Sequence, residues 1–317
     1  MPSTRRINYS VRANKHIERR MLMEVLRRLD RLPPRLTSYR YVGFGGIFFT
    51  DFVHAHQHLG LRELISIEHS GLRERFDFNR PLACIDIRFG GARHVLPELL
   101  AELSMVGAPA VFWLDFDGPL TRSICDDIAH LATNVTEWSF LAVTVNADPG
   151  EPKDRLAEFH RRFEETAPPD ITSAAQLANW KLAQVSNRML VDAIDSALVA
   201  RNAATPPSER LRYQQLILFH YADGAKMLTT GGIFHLESQA HLITEATAGL
   251  PQLRPQGTEA LLVDAPVLTP REVRNLSQQL PTADGNAPSS PGVAESDALR
   301  FANLYRHYPL YAQVELL

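Results

Sequence analysis

The sequence predicts an α/β protein with a doubly wound, mostly parallel sheet of the Rossmann-like kind. Short apolar segments recur between residues 38 and 148, and segments of helical character separate them. Such apolar segments are typical of strands that are buried on both faces. Strands of this kind that alternate with helices form repeated β-α units around a parallel sheet.

The elements of the first half follow in a regular order. A helix is predicted over 15–31, because apolar residues recur every four positions from Ile17 to Leu29, and Pro33 follows its end. The predicted strands are 39–44, 63–68, 83–87, 110–115 and 140–146, and the helices between them are 47–59, 92–103 and 122–132, with a helix or loop at 71–79. Gly60 stands where a helix C-cap is expected.

The second half is predicted to be mainly helical before it completes the sheet. Helices are expected over 153–166, 174–202 and 208–222, and Gly231-Gly232 is expected to form a hairpin turn. Thr269 and Glu272 form a capping-box pattern that predicts a helix through Leu280. The division expected from these features is a basic N-terminal segment 1–36, a cofactor-binding core 37–150, a helical insertion 151–225, a sheet-completing part 226–280, a flexible linker 281–297 and a C-terminal helix and tail 298–317.

Composition and charge narrow the class of protein. With 317 residues, 45% hydrophobic and 22% charged, the chain can bury one substantial core, and no segment approaches the roughly 20 apolar residues of a membrane span. Two cysteines cannot provide a disulfide framework, so a cytoplasmic location is expected. Residues 1–40 hold eleven Lys/Arg and three Asp/Glu, a balance of +8, so the remainder carries -11 of the net charge of -3. This asymmetry fits an acidic partner such as nucleic acid, and it also fits a solvated helix on an acidic body.

Several chemically suggestive residues follow the predicted strands at the edge where open parallel sheets bind ligands. Gly43, Gly45 and the helix after them let a ligand approach the backbone closely, although a tight turn explains the same glycines. Glu68 ends the second strand, and its spacing in sequence from the glycines is one at which a carboxylate can accept from both ribose hydroxyls of a nucleoside cofactor. The alternative is an exposed glutamate at a helix start.

Acidic residues also follow the third and fourth strands. Asp86 can accept a hydrogen bond from an adenine amine, or it is a surface aspartate. Asp115 and Asp117 lie beside a Gly-Pro turn directly after an apolar strand, which favours a functional role over a structural one.

Other site types find less support. The third glycine of a dinucleotide fingerprint is replaced by Phe48, and neither a Walker A motif nor Gly-x-Ser-x-Gly occurs. His54 and His58 share a helical face, but no acid or cysteine accompanies them, so no metal site is expected.

The order of glycine turn, two acids and Asp-rich turn resembles the class I S-adenosylmethionine-dependent methyltransferases. More narrowly, residues 7–148 are similar to a bacterial family of O-methyltransferases. The likeness is carried by the segments 8-NYSVRANKHIERR-20, 41-YVGFGGIFFTDF-52, 65-ISIEHS-70, 76-FDFNRP-81 and 113-WLDFDGPL-120. It implies a Rossmann-like methyltransferase sheet with an N-terminal helix and a helical insertion. The segment after Asp115 lacks the Asn/Asp-Pro-Pro-Tyr/Phe pattern of enzymes that methylate base amines, which lowers the case for that reaction.

The resemblance also implies roles for the residues at the strand ends. Gly43 and Gly45 would line the methionine part of S-adenosylmethionine, Glu68 would hold its ribose and Asp86 its adenine. Asp115 would lie beside the transferring methyl group, and Asp115 or Asp117 would serve as the base for a hydroxyl acceptor.

The N-terminal segment supplies a further group of candidates. Arg12, Lys15 and Arg19 lie three to four residues apart, so a helix would align them to bind a cofactor carboxylate or a substrate phosphate. Asn8 and Tyr9 precede that helix and belong to the same likeness. The alternative is a solvated helix surface on which Glu18 pairs locally.

The sequence therefore favours an S-adenosylmethionine-dependent methyltransferase, with O-methyl transfer expected. The acceptor is open, with a nucleic acid or nucleotide slightly ahead of a small molecule or a protein, and a protein partner also fits. A non-catalytic module that senses cofactor or binds a partner, and an NAD-linked oxidoreductase, stay as alternatives.

Overall fold

The computed structural model describes residues 12–282 and 286–310, and one sheet organises them. Its strands are β1 (Arg40–Gly43), β2 (Glu63–Glu68), β3 (Ile85–Phe89), β4 (Ala110–Pro119), β5 (Phe140–Asn146), β6 (Leu211–Ala222), β7 (Lys226–Leu236) and β8 (Leu261–Val263). They are ordered β3-β2-β1-β4-β5-β7-β6-β8. Strands β1 to β5 are parallel, β7 is antiparallel to both neighbours, and β8 is parallel to β6. The predicted doubly wound, mostly parallel sheet is confirmed.

Helices cover both faces of this sheet. They are α1 (Ala13–Leu29), α2 (Thr50–Leu59), α3 (Arg73–Asn79), α4 (Ala92–Val106), α5 (Arg122–Asn134), α6 (Arg155–Phe163), α7 (Lys181–Arg201), α8 (Ala240–Thr247), α9 (Pro270–Ser277) and α10 (Glu295–Leu304). The apolar side chains of α1, α2, α3 and α8 share a core with one sheet face, and those of α4 to α7 share a core with the other. Within the described residues, no helix combines the length and apolarity needed to cross a bilayer.

The strand order reverses beside β1. The chain moves outward from β1 to β2 and β3, then returns to β4 on the other side of β1. Ligands of open α/β sheets bind at such a reversal, outside the carboxyl ends of the strands. Gly43, Glu68 and Asp115 lie at or near that edge.

The helix predicted over 208–222 is wrong, because this segment is strand β6. It pairs with β7 from Leu211 to Ala222, and one register shift falls between Gln215 and Ile217. The tract is rich in aromatic and branched residues, and long-range pairing overrides its helix-compatible spacing. The other two helices of this region are present as α6 and α7, in shorter form. The proposed boundaries of the segments, including 151–225 as an insertion, stay predictions.

The hairpin turn predicted at Gly231-Gly232 is also wrong. Both glycines lie inside β7, and the turn follows Ala222, with Gly224 at a φ of 106°. A side chain on Gly232 would overlap the backbone of Gln214, and one on Gly231 would place its Cβ 2.8 Å from the carbonyl oxygen of Leu141. Close strand packing therefore explains the glycine pair.

The remaining predicted elements are confirmed with shifted ends. β3 begins at Ile85 instead of residue 83, and β4 continues to Pro119. Gly60 caps α2 at a φ of 71°, and Thr269 caps α9 through the predicted capping box. The last helix, α10, begins at Glu295, inside the segment predicted as a linker.

Candidate active site

A glycine turn after β1 is fastened to the end of β2. The N–H of Gly45 donates to Ser66 Oγ at 3.0 Å, and the N–H of Gly46 donates to Glu68 Oε1 at 2.9 Å. Ser66 Oγ in turn donates to Glu68 Oε1 at 2.7 Å. Three hydrogen bonds thus hold the turn and the carboxylate together.

Packing alone demands glycine at two positions of this turn. A Cβ on Gly43 would lie 2.7 Å from the carbonyl oxygen of Trp113, and one on Gly45 would lie 2.5 Å from Phe49 Cδ1 and 2.8 Å from Ser66 Oγ. The tight-turn interpretation of these glycines therefore applies. It is compatible with a cofactor turn, because the same close packing brings the backbone to the carboxyl edge of the sheet.

Glu68 is a buried carboxylate at this edge, with 6% of its surface exposed. Burial raises its pKa to about 7, although the hydrogen bonds from Ser66 and the glycine turn oppose the shift. The hydrogen bonds from Gly46 and Ser66 are both accepted by Oε1, and neither involves Oε2. A carboxylate that is fixed through one oxygen fits the expected task of accepting from ribose hydroxyls with the other.

Asp86 is not brought to this edge. It is the second residue of β3, opposite Ile65, whereas Phe89 lies opposite Glu68. Three residues of strand separate the two levels, about 10 Å. Its exposed carboxylate pairs with Arg88 at 2.6 Å, and Arg88 also pairs with Glu102. The shift of β3 relative to its predicted ends explains the misplacement, and the geometry gives no support to Asp86 as an adenine ligand.

Asp115 and Lys15 form an ion pair near the end of β4. Lys15 Nζ lies 2.8 Å from Asp115 Oδ2, 2.8 Å from Glu18 Oε2 and 3.2 Å from Tyr221 Oη. Three oxygens therefore surround the three N–H donors of the ammonium group. The side chain of Asp115 is 24% exposed, whereas that of Lys15 is 4% exposed. Lys15 is thus a buried counter-ion of Asp115, which faces the edge of the sheet.

Burial and charge act in opposite directions on this pair. Burial lowers the pKa of Lys15, but Asp115 and Glu18 raise it well above its ordinary value. Burial raises the pKa of Asp115, and Lys15 opposes that rise. Lys15 therefore stays protonated, and Asp115 is the group of the pair that can take up a proton.

The other predicted cations occupy different environments. Arg19 Nε contacts Asp51 Oδ1 at 2.5 Å, and both side chains are largely buried. Arg12 precedes α1 and donates to the carbonyl oxygen of Asp223 in the turn between β6 and β7. Lys15 and Arg19 lie four residues apart on α1 and are buried in ion pairs, whereas Arg12 lies just before the helix.

The predicted residues also include Asp117 and the pair Asn8 and Tyr9. Asp117 lies two residues beyond Asp115 on β4 and is exposed. Asn8 and Tyr9 lie outside the described residues.

Sequence reasoning missed the internal partners of these groups. The alternative interpretation of the sequence places Glu18 on a solvated helix surface with a local partner; Glu18 does pair locally, with Lys15, but it is completely buried. Asp51, Tyr221 and Thr229 had no assigned role. The spacing of Lys15 and Glu18 on one helix was the available signal, but only the fold shows that this helical face meets the sheet.

The two described clefts do not coincide with the glycine turn. The larger, about 640 Å³, runs along β3 beside Arg40 and Glu63, the first residues of their strands. The smaller, about 220 Å³, lies near the end of β3 between Arg73 and Phe89. Neither cleft is lined by Glu68 or Asp115. Within the described residues, no group of three or more His, Cys, Asp or Glu side chains has the arrangement of a metal site.

Comparison with known proteins identifies one family. The family described as "Putative O-methyltransferase" matches residues 7–316. No curated protein matches.

Several solved structures are similar to this chain at low identity. Trm1 from Pyrococcus horikoshii, solved with S-adenosyl-L-methionine, is 12% identical with a TM-score of 0.45, over 94% of this chain and 77% of that one. A probable spermidine synthase from Corynebacterium glutamicum is 13% identical with a TM-score of 0.38, over 80% and 82%. A cysteine variant of LepI, solved with S-adenosylhomocysteine and a substrate analogue, is 11% identical with a TM-score of 0.35; the match covers 63% of this chain and 43% of LepI. These likenesses assign no acceptor to the chain.

Proposed function

Because the chain belongs to the "Putative O-methyltransferase" family, it is an S-adenosylmethionine-dependent methyltransferase, and we propose that it methylates a hydroxyl group with Asp115 as the base. The observation that carries the proposal is the Lys15–Asp115 pair at the carboxyl edge of the sheet, where Asp115 lies on β4 two residues beyond the position opposite Gly43. This edge also carries the fastened glycine turn and Glu68.

The cofactor site in this proposal is the glycine turn together with Glu68. S-adenosylmethionine supplies a methyl group on a positively charged sulfur, which leaves as a neutral thioether. The free oxygen of Glu68 accepts from the ribose hydroxyls, and Gly43 and Gly45 keep the turn close to the sheet. The NAD-linked alternative is dropped, because the cofactor of the family is S-adenosylmethionine.

Asp115 acts on the acceptor. Its carboxylate takes the proton of the hydroxyl group as the hydroxyl oxygen forms its bond to the methyl carbon. Lys15 holds Oδ2 of Asp115. The ion pair, and not solvent, therefore sets the direction in which Oδ1 faces the acceptor. Positioning is the larger requirement of methyl transfer, and a positioned base contributes a further factor of about 10²–10⁴. Asp117 is more exposed and stays the second candidate for this task.

The chemical class of the methyl acceptor has less support from the structure than the proposed base. A nucleic acid or nucleotide stays a prediction with weaker support, because two of the three cations that suggested it are buried in ion pairs. A hydroxyl compound without a required phosphate fits the site equally well.

A paired binding and transfer assay tests the proposal. Wild-type protein, Asp115→Asn and Asp117→Asn are titrated with S-adenosylhomocysteine, then incubated with methyl-tritiated S-adenosylmethionine and fractionated cell extract. We expect Asp115→Asn to bind within about threefold of wild type and to lose transfer by about 10²-fold or more. Full transfer by Asp115→Asn contradicts the assignment of the base, and it would favour Asp117 if Asp117→Asn is inactive. Binding of the cofactor product without transfer by any form, wild type included, would favour the non-catalytic module.

A further inference from the structure

A second carboxylate, Glu18, lies behind Asp115 and shares its ammonium ion. Lys15 Nζ is 2.8 Å from Glu18 Oε2 and 2.8 Å from Asp115 Oδ2. Glu18 is 0% exposed, whereas the Asp115 side chain is 24% exposed. One ammonium group therefore separates an inner carboxylate from an outer one.

A chain of hydrogen bonds leads to the inner carboxylate. Thr229 Oγ1 donates to Glu18 Oε1, so its single proton is used there. In the 2.7 Å hydrogen bond between the two threonine hydroxyls, Thr144 must then be the donor and Thr229 the acceptor. Thr144 itself accepts a hydrogen bond from Trp113 Nε1 at 3.1 Å. An indole N–H can only donate. The direction of the chain is thus determined from Trp113 to Glu18, and its last member is an acceptor.

Among the described residues around this cluster, carboxylates outnumber cations by one. The titratable and charged groups that face this cluster are Lys15, Glu18 and Arg19 on α1, Tyr41 on β1, Asp51 on α2, Asp115 on β4 and Tyr221 on β6. Arg19 is paired with Asp51. Within the described residues, Lys15 is the cation whose ammonium group contacts both Glu18 and Asp115.

We infer that Glu18 is a positioning residue that keeps Asp115 able to accept a proton, by competing with it for Lys15. The inference rests on the proposed function, in which Asp115 is the base. If Lys15 paired with Asp115 alone, the full positive charge would stabilise the ionised carboxylate and make it a poor base. With Glu18 present, the pair has room for one proton, and the acceptor hydroxyl delivers it to the exposed member. Burial raises the pKa of both carboxylates, which is consistent with this account.

The test follows the titration of Asp115 in the full chain without cofactor or acceptor. Protein carrying ¹³C-labelled Asp and Glu carboxyl groups is titrated by NMR, and the Asp115 signal is identified by its loss in Asp115→Asn. We expect Glu18→Gln to lower the pH midpoint of Asp115 by about one pH unit or more, because Lys15 then serves Asp115 alone. An unchanged midpoint overturns the inference.

A second variant keeps the test decisive if Glu18→Gln does not fold. Thr229→Val removes the donor to Glu18 Oε1, so Glu18 keeps its proton to higher pH and Asp115 is again left alone with Lys15. The Asp115 midpoint is expected to fall in this variant as well, and an unchanged midpoint contradicts the inference equally. Glu24→Gln is the matched control, because Glu24 lies on the same helix but pairs with Arg306 and His307; the Asp115 midpoint should not move in it.

The transfer assay separates the two proposals. An active Asp115→Asn variant refutes the base assignment, whatever the titration shows. An unchanged Asp115 midpoint in both test variants refutes the role of Glu18 and leaves the base assignment standing.

Discussion

Lys15 on the first described helix lies 2.8 Å from Asp115 on the central strand β4. The sequence predicts that Lys15 belongs to a row of cations available to bind a ligand, whereas in the structure it is paired with Asp115. The helix closes over one face of the sheet and inserts its charged side chains among the strand ends. The described part of the basic segment therefore packs against the sheet, and at Lys15 it supplies a buried counter-ion to Asp115.

Removing that counter-ion should destabilise the fold in a pH-dependent way. We expect Lys15→Met to lower the free energy of unfolding by about 3–5 kcal/mol at pH 8, because two buried carboxylates lose their partner. The loss should be smaller at pH 5, where carboxylates whose pKa values are raised by burial take up protons. Urea unfolding at both pH values measures it.

Lys153→Met is the control for this prediction. Lys153 is exposed, and the same substitution there should change stability by less than about 0.5 kcal/mol. Equal effects of Lys15→Met at pH 5 and pH 8 would contradict the charge-based explanation.

Ionised Glu68 should lower the stability of the ligand-free protein at neutral pH. Its pKa is raised by burial from 4.5 to about 7, so the folded state binds the proton more tightly than the unfolded state. The stability of the fold should therefore fall as pH rises from about 4.5 to 7. Glu68→Gln should raise the free energy of unfolding at pH 8 by up to about 3 kcal/mol, with no gain at pH 4.5. A gain of the same size at both pH values would contradict the assignment.

The same carboxylate should make cofactor binding depend on pH. Ionised Glu68 accepts from the ribose hydroxyls, so the affinity for S-adenosylhomocysteine should decrease below pH 7, by at most about tenfold per pH unit. Calorimetric titration between pH 5.5 and 8 measures this dependence. Glu68→Gln should bind more weakly at pH 8 and lose the dependence; a variant that keeps the wild-type profile would exclude Glu68 as its source.

Gly45→Ala should weaken cofactor binding through the turn. The added methyl group meets Phe49 and Ser66, and Ser66 holds Glu68 in place. We expect a loss of about 1–3 kcal/mol in stability and at least a tenfold loss of S-adenosylhomocysteine affinity. Gly71→Ala is the control, since a Cβ there meets nothing within 4 Å, and its stability should stay near wild type. Wild-type affinity in Gly45→Ala would show that the turn does not shape the site.

Local patterns predicted which acidic residues lie near the strand ends. Glu68 and Asp115 were found because apolar runs end at them, and parallel strands bring such ends together. Asp86 was misplaced because a strand boundary shifted by two residues moves a side chain away from the edge. The β6–β7 hairpin and the pairing of Lys15 with Asp115 both depend on contacts between distant segments, which periodicity does not encode.

A crystal structure of the full chain with S-adenosylhomocysteine tests the central claim most directly. The account predicts that both ribose hydroxyls lie about 3 Å from the Glu68 carboxylate, with the sulfur on the Asp115 side of the glycine turn. Binding of the ligand in the cleft along β3 beside Arg40 and Glu63, with Glu68 untouched, would contradict it.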